Sequence, residues 1–150
     1  MAESPLTRPN LQVLAESRLT EARILNSNGQ HDGAVYLAGY ALEFALKARV
    51  CKILDSDYPV EFRCFLTHKI QELVKLAGLE KQLNQQRALD LDFGNNWSVV
   101  VGASASMPQG WSEKLRYRKI GSATAADADL FLQALDDPAA GIFTWIKKLW

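Results

Sequence analysis

The sequence is poor in the features that mark a secreted, metal-binding or membrane-spanning protein. It has two cysteines among 150 residues, and Cys51 and Cys64 show neither zinc-ligand spacing nor a disulfide framework. No apolar run approaches the roughly 20 residues that span a bilayer. The first residues also lack the charged-then-apolar layout of a signal peptide. We therefore predict a cytoplasmic protein without a metal site or a membrane segment.

Charge of one sign and the common cofactor motifs are missing as well. Seventeen basic side chains balance seventeen acidic ones, which argues against a protein that wraps nucleic acid by bulk charge. There is no glycine-rich phosphate loop, no dinucleotide fingerprint and no internal repeat. The pattern predicts no cofactor, and any nucleic acid would have to meet a local basic patch.

Strand patterns are scarce, whereas helical periodicity begins early and covers most of the chain. Apolar residues recur at helical spacing from Asn10, and the pattern ends near Gly29, a suitable C-terminal cap. A second helical segment then runs to about Leu54. The turn between the two segments is short, so these helices are expected to lie antiparallel.

The second half of the chain contains shorter helical signals. Thr67 is suited to cap a third helix, and residues 80–91 form an amphipathic segment. Residues 95–101 suggest a short helical turn. Residues 124–127 have the spacing of a capping box, and residues 137–138 suggest another helix start with Pro in the first turn.

We predict a single all-α domain over residues 1–150, with residues 1–9 as a loose arm. Its core is expected to be a four-helix up-down bundle with additional C-terminal helices. The length is sufficient for one domain to bury its own core.

The second helical segment is the one around which the chain is organised. Residues 32–48 are apolar around most of the helix circumference, which is typical of a helix in the middle of a bundle. Small side chains on one side allow a neighbouring helix to approach closely. These alanines are Ala34, Ala38, Ala41, Ala45 and Ala48.

One polar stripe interrupts this apolar helix. Tyr36, Tyr40, Glu43 and Lys47 follow the spacing i, i+4, i+7 and i+11, which aligns their side chains. The stripe has two interpretations. It is either an ordinary surface with a Glu–Lys ion pair and half-buried tyrosines, or one wall of a ligand cleft or dimer groove. We take these four residues as candidate ligand-binding residues.

The sequence of this helix, GAVYLAGYALEFALKA at residues 33–48, closely resembles the second-helix signature of the HEPN superfamily of small prokaryotic helical domains. The resemblance continues in residues 67–73 and 77–79, and then in Arg116 and Tyr117. These pieces occur in the order that the family has.

The resemblance implies a HEPN-like binding module, non-catalytic, for a nucleotide, an RNA or a partner nucleotidyltransferase, acting as a homodimer. HEPN proteins are often encoded beside a minimal nucleotidyltransferase or in toxin–antitoxin and defence settings. The resemblance also implies an alternative, a metal-independent ribonuclease toxin.

The catalytic alternative depends on an arginine and a histidine. HEPN ribonucleases use an Arg, four to six residues, and then a His, and Arg63 and His68 match that spacing. They lie between the second and third helices, however, whereas the family has its motif near the last core helix. There the chain has Arg116 with no histidine after it, and so no group naturally poised for proton transfer near neutral pH. We expect His68 to have a structural role at the start of the third helix.

The densest group of cations lies at residues 114–119, which we call the basic segment. Arginine and aromatic side chains together suit contacts with phosphates and bases, although a solvated loop would have the same composition. The candidate ligand-binding residues here are Lys114, Arg116, Tyr117, Arg118 and Lys119, with Trp111 just before them.

Two further expectations concern packing. Arg18 lies in the middle of the apolar face of the first helix, where an unpaired charge would be costly, and we expect it to pair with Glu43. The four tryptophans are more than a core of this size usually needs, which favours a dimer interface that includes some of them.

Overall fold

The protein is all-helical, as predicted. The computed structural model describes residues 5–105 and 107–150, and these residues form helices and loops without a β-strand. Short 3₁₀ helices occur at Arg63–Phe65 and Glu113–Tyr117. The α-helices are α1 (Arg8–Ser27), α2 (His31–Leu54), α3 (Ile70–Leu76), α4 (Glu80–Leu89), α5 (Leu91–Val101), α6 (Ala125–Asp136) and α7 (Ile142–Lys147).

Helix α1 starts slightly before the predicted position and pairs with α2. The Thr7 hydroxyl accepts a hydrogen bond from the Asn10 amide (3.2 Å) and caps the helix. The three-residue connection after α1 contains Gly29 in a left-handed conformation (φ 76°), which any residue with a Cβ adopts only at a cost. Of the predicted arm, residues 1–4 lie outside the described residues, and Leu6 packs against the core.

Helix α2 lies at the centre of the molecule and contacts α1, α3, α6 and α7. Its alanine side is fully buried, as predicted, because small side chains let neighbouring helices approach. The fully buried alanines are Ala34, Ala38, Ala41, Ala45 and Ala48.

Among the described helices, none is both long and apolar enough to cross a membrane.

Helices α4 and α5 differ from the predicted pattern. The prediction extended one helix to Leu91 and left a short turn after it. In the structure Asp90 ends α4 and caps α5, because its side chain accepts a hydrogen bond from the Phe93 amide (3.1 Å). Leu89, which the prediction placed on the apolar face of that helix, is 85% exposed, and Leu91 at its predicted end is 78% exposed.

The C-terminal helices confirm one predicted signal and change another. Thr124 and Asp127 form the predicted capping box at the start of α6. Asp137, however, ends α6 instead of starting a helix, and its carboxylate accepts hydrogen bonds from the amides of Ala139 and Ala140. This local turn satisfies the backbone, and α7 begins later, after Gly141.

The tryptophans contribute to the core of a single chain. Trp97 and Trp111 are buried, and Trp145 and Trp150 are partly buried against the same core. Their number is therefore explained without an interface, and the expectation of a dimer no longer gains support from them.

Candidate functional site

The centre of the candidate site is a buried carboxylate on α2. Glu43 is 1% exposed, and it is the one buried charged residue in the described part of the chain. A buried charge is stable when it is paired and hydrogen-bonded. One carboxylate oxygen, Oε1, lies 2.8 Å from Nδ1 of His68, and the other, Oε2, lies 3.3 Å from Nζ of Lys47.

The predicted pairing of Arg18 with Glu43 is wrong. Arg18 instead forms an ion pair with Glu21, one turn further along α1. Its side chain is 31% exposed, because a long arginine side chain reaches from a packed position to the helix edge and keeps its charge hydrated. Glu43 is left to partners from its own helix and from the loop after it.

The loop between α2 and α3 brings His68 to Glu43. Tyr58 anchors the loop: its amide donates a hydrogen bond to the carbonyl of Leu6 (2.9 Å), and its hydroxyl donates one to the carbonyl of Phe65 (2.6 Å). Burial, and then the negative charge of Glu43, raise the pKa of the Tyr58 hydroxyl. With its start fixed in this way, the loop runs back along α2. His68 lies at its end, just before α3, within hydrogen-bond distance of Glu43.

The imidazole of His68 has a specific orientation. A carboxylate is an acceptor, so Nδ1 carries the proton in its bond to Glu43. Nε2 is then the ring nitrogen that remains for a ligand, and 47% of the side chain is exposed. The imidazole thus bonds to a carboxylate 25 positions earlier in the chain, whereas a role at the start of α3 was expected.

Of the two tyrosines of the polar stripe, Tyr40 lies beside this histidine and Tyr36 lies beside Tyr40. Tyr36 and Tyr40 are in edge-to-face contact, with ring centroids 5.1 Å apart, and the ring of Tyr40 is 6.1 Å from that of His68. The pKa of Tyr40 is raised, chiefly by burial and then by hydrogen bonding with Tyr36. The negative charge of Glu43 acts in the same direction, and the positive charge of Arg116 opposes it.

Trp111 forms one side of the site because α2 has a glycine opposite it. The Trp111 indole donates a hydrogen bond to the carbonyl of Tyr36 (3.1 Å), and its ring centroid is 5.1 Å from that of Tyr40. A Cβ on Gly39 would lie 1.9 Å from the indole Nε1 and Cε2 atoms. The close packing of this side of the site therefore requires glycine at position 39.

The basic segment lies beside the tyrosines, because the 3₁₀ helix Glu113–Tyr117 contacts α2. The guanidinium carbon of Arg116 lies 4.8 Å from the ring centroid of Tyr117. Hydrogen bonding with Tyr117, and then with Tyr36, raises the pKa of Arg116. We call Tyr36, Tyr40, His68 and Arg116 the tyrosine–histidine surface. The exposed residues of the basic segment continue it, and they are Lys114, Tyr117, Arg118 and Lys119.

The predicted site residues divide into those that can touch a ligand and those that cannot. Tyr36 and Tyr40 are partly exposed, whereas Glu43 and Lys47 have side chains 1% and 12% exposed. Glu43 can therefore act on a ligand mainly through His68. Arg63 is exposed on its short 3₁₀ helix.

Within the described residues no arginine is bonded to His68, and its imidazole has the carboxylate of Glu43 as its polar partner. The same part of the chain contains no group of three or more His, Cys, Asp or Glu side chains that could hold a metal ion. The chemistry available at this surface is that of cations, hydroxyls, aromatic rings and one oriented imidazole.

The roles of three residues that help to form the site were not predicted from the sequence. Gly39 was not singled out, although an isolated glycine within a helical pattern often indicates close packing. Trp111 was noted as a neighbour of the basic segment, but its contact with α2 was not foreseen. Tyr58 was assigned to a loop, and no local signal indicates that it anchors that loop.

Comparison of the chain with models of protein families, with curated protein sequences and with solved structures finds no match.

Proposed function

We propose that this chain is a HEPN-like binding module that holds a nucleotide or an RNA on the tyrosine–histidine surface and the adjoining basic segment. The observation that carries the proposal is the packing of Trp111, just before the basic segment, against the tyrosines of α2: its indole donates a hydrogen bond to the carbonyl of Tyr36 (3.1 Å), and its ring centroid lies 5.1 Å from that of Tyr40. This packing brings together two sets of candidate residues that lie about 75 positions apart in the sequence.

The chemistry of the surface supports a ligand that contains phosphate. Arginine presents several N–H donors in a planar arrangement that suits phosphate oxygens. His68 adds a ring nitrogen at an exposed position, and Tyr36 and Tyr40 add phenol groups. The whole chain is neutral, so attraction of an anion would depend on these local cations and not on overall charge.

A binding measurement with a matched control tests the proposal. Fluorescence anisotropy with labelled RNA at low salt is compared for the wild type, Arg116→Ala and Arg87→Ala. Arg87 is an exposed arginine of α4 that bonds within its own helix to Asn84 (3.4 Å). We expect Arg116→Ala to weaken binding about tenfold, and Arg87→Ala to leave it unchanged. Equal affinities for all three proteins would refute the proposal.

Binding of this kind should also weaken as salt is added. Each phosphate contacted on a single strand contributes about 0.7 to the slope of log affinity against log salt concentration. A slope near zero for the wild type would mean that the phosphates are not contacted.

We also propose a homodimer and a nucleotidyltransferase partner, both of which rest on the HEPN resemblance. Light scattering at micromolar concentration should give the mass of two chains, and the mass of one chain would exclude the homodimer.

For the partner, a minimal nucleotidyltransferase encoded beside this chain should co-purify with it. Separation of the two on a sizing column at micromolar concentration would count against that pairing.

The alternative, a metal-independent ribonuclease toxin, is favoured by the hydrogen bond between Glu43 and His68 (2.8 Å). A carboxylate that orients an imidazole is a recurring arrangement in acid–base catalysis. Against it, no contact joins His68 to Arg63 or Arg116 in the described residues, and so no cation is held beside the imidazole to bind the reacting phosphate. We therefore expect no cleavage that depends on His68.

An RNA cleavage assay separates the two candidate functions. The wild type, His68→Ala and His31→Ala are incubated with mixed RNA in a chelator. His31, the only other histidine in the sequence, is the matched control. Cleavage by the wild type and by His31→Ala, but not by His68→Ala, would favour the toxin. Intact RNA in all three reactions is the expected outcome.

A further inference from the structure

Tyr117 is a large aromatic side chain that the fold leaves in water. It is 76% exposed, while Trp111, six positions earlier, is 7% exposed. An exposed tyrosine often belongs to a binding surface. The residues around Tyr117 then indicate the class of ligand that its ring would contact.

The position of Tyr117 is held by the structure around it. The Ser112 hydroxyl caps the 3₁₀ helix Glu113–Tyr117 by accepting a hydrogen bond from the Lys114 amide (3.1 Å). Leu115, from the middle of the same helix, packs against the core. The guanidinium of Arg116 lies over the ring of Tyr117. The ring is thus presented on a short capped helix and already contacts Arg116 before any ligand arrives, which lowers the entropic cost of binding.

The cations around Tyr117 are available to a ligand. Lys114, Arg118 and Lys119 are all exposed, and none of them takes part in an ion pair among the described residues. The nearest acid along the chain, Glu113, accepts a hydrogen bond from the Ser112 hydroxyl (3.3 Å). The positive charge of the segment is therefore not cancelled by local pairing.

We infer that Tyr117 stacks on an unpaired base while Arg116 and the neighbouring cations hold the adjacent phosphates, so that the ligand is single-stranded RNA. This inference rests on the proposed function and narrows its substrate class. Bases inside a duplex are already stacked on both faces and cannot lie on a side chain, whereas every unpaired base has a face to offer. Four cations within six consecutive residues suit several phosphates, which favours a strand over a free mononucleotide.

The experiment compares three ligands: a 12-nucleotide single-stranded RNA, the same sequence as a duplex, and a mononucleotide. For the wild type at low salt, we expect the single strand to bind at least tenfold more tightly than the other two. Binding of the duplex or of the mononucleotide as tightly as the single strand would overturn the inference.

Variants of Tyr117 test the stacking itself. We expect Tyr117→Ala to weaken single-strand binding about tenfold and Tyr117→Phe to retain most of the affinity, because stacking needs the ring and not the hydroxyl. Phe62→Ala is the matched control, since Phe62 is an exposed aromatic residue (59%) outside the basic segment. It should bind like the wild type.

A spectroscopic readout distinguishes stacking from a general loss of structure. A 2-aminopurine base in the single strand should change its fluorescence on binding the wild type and Tyr117→Phe, but not on binding Tyr117→Ala at saturation. If Tyr117→Ala binds as tightly as the wild type, the inference fails while the proposed function stands. If none of the three ligands binds the wild type, the proposed function itself fails.

Discussion

The contact between Gly39 and Trp111 allows a quantitative test of how the site is built. In Gly39→Ala the new Cβ would lie 1.9 Å from the indole, far inside any normal contact. The indole is 7% exposed, so it can move only by disturbing its neighbours. Overpacking of this kind costs about 1–3 kcal/mol, and loss of the indole hydrogen bond adds about 1 kcal/mol. The better helix propensity of alanine returns about 1 kcal/mol.

The expected net effect is a loss of about 2 kcal/mol in the free energy of unfolding, measured by urea denaturation followed with circular dichroism. Gly33→Ala on the same helix is the control, because the nearest atom to its Cβ is the flexible end of Leu25 at 3.3 Å. That variant should be as stable as the wild type or more stable. The packing argument would be refuted if Gly39→Ala were also as stable as the wild type.

Three further predictions concern the buried carboxylate, the buried tyrosines and the two cysteines. Glu43→Gln should destabilise the protein by about 3 kcal/mol in urea denaturation, because it removes one charge of a mostly buried ion pair; an unchanged midpoint would contradict this. Burial raises the pKa of Tyr40 and Tyr58, so these hydroxyls should remain protonated when ordinary tyrosines ionise near pH 10. The stability that they contribute is fully present below about pH 10 and is lost as the pH rises further, which an ultraviolet titration combined with thermal unfolding would measure. Cys64 is exposed and Cys51 is buried with a raised pKa, so one thiol should react quickly with a thiol reagent in the native protein and both after unfolding.

Several features were determined by residues close to one another in the sequence. The end of α2 at Leu54 was predicted from periodicity, and the capping box at Thr124 and Asp127 was predicted from spacing. Both depend on hydrogen bonds and side-chain contacts within one or two helical turns. The positive φ angle of Gly29 after α1 is a local feature of the same kind.

Boundaries were less predictable where two local signals competed. At Asp90 the apolar pattern predicted one continuous helix, whereas the aspartate side chain is suited to cap a new helix. The structure has the cap, and Leu89 and Leu91 face water. At Asp137 the sequence suited a helix start. Its carboxylate instead accepts hydrogen bonds from the amides of Ala139 and Ala140 and stabilises a turn. Aspartate is suited to both roles, so the sequence alone does not separate them.

The stripe of Tyr36, Tyr40, Glu43 and Lys47 was determined by the sequence alone, because helical geometry aligns residues at that spacing. Which side chains come to meet the stripe was decided by the tertiary structure. Trp111 bonds to a residue 75 positions earlier, and His68 to one 25 positions earlier. Arg18 lies on α1 and Glu43 lies on α2, and the two helices pack together. Arg18 nevertheless pairs with Glu21, and Glu43 pairs with His68. The physical reason is that a helix specifies the direction of its own side chains, whereas the partners of a buried charge depend on how the loops return across the core.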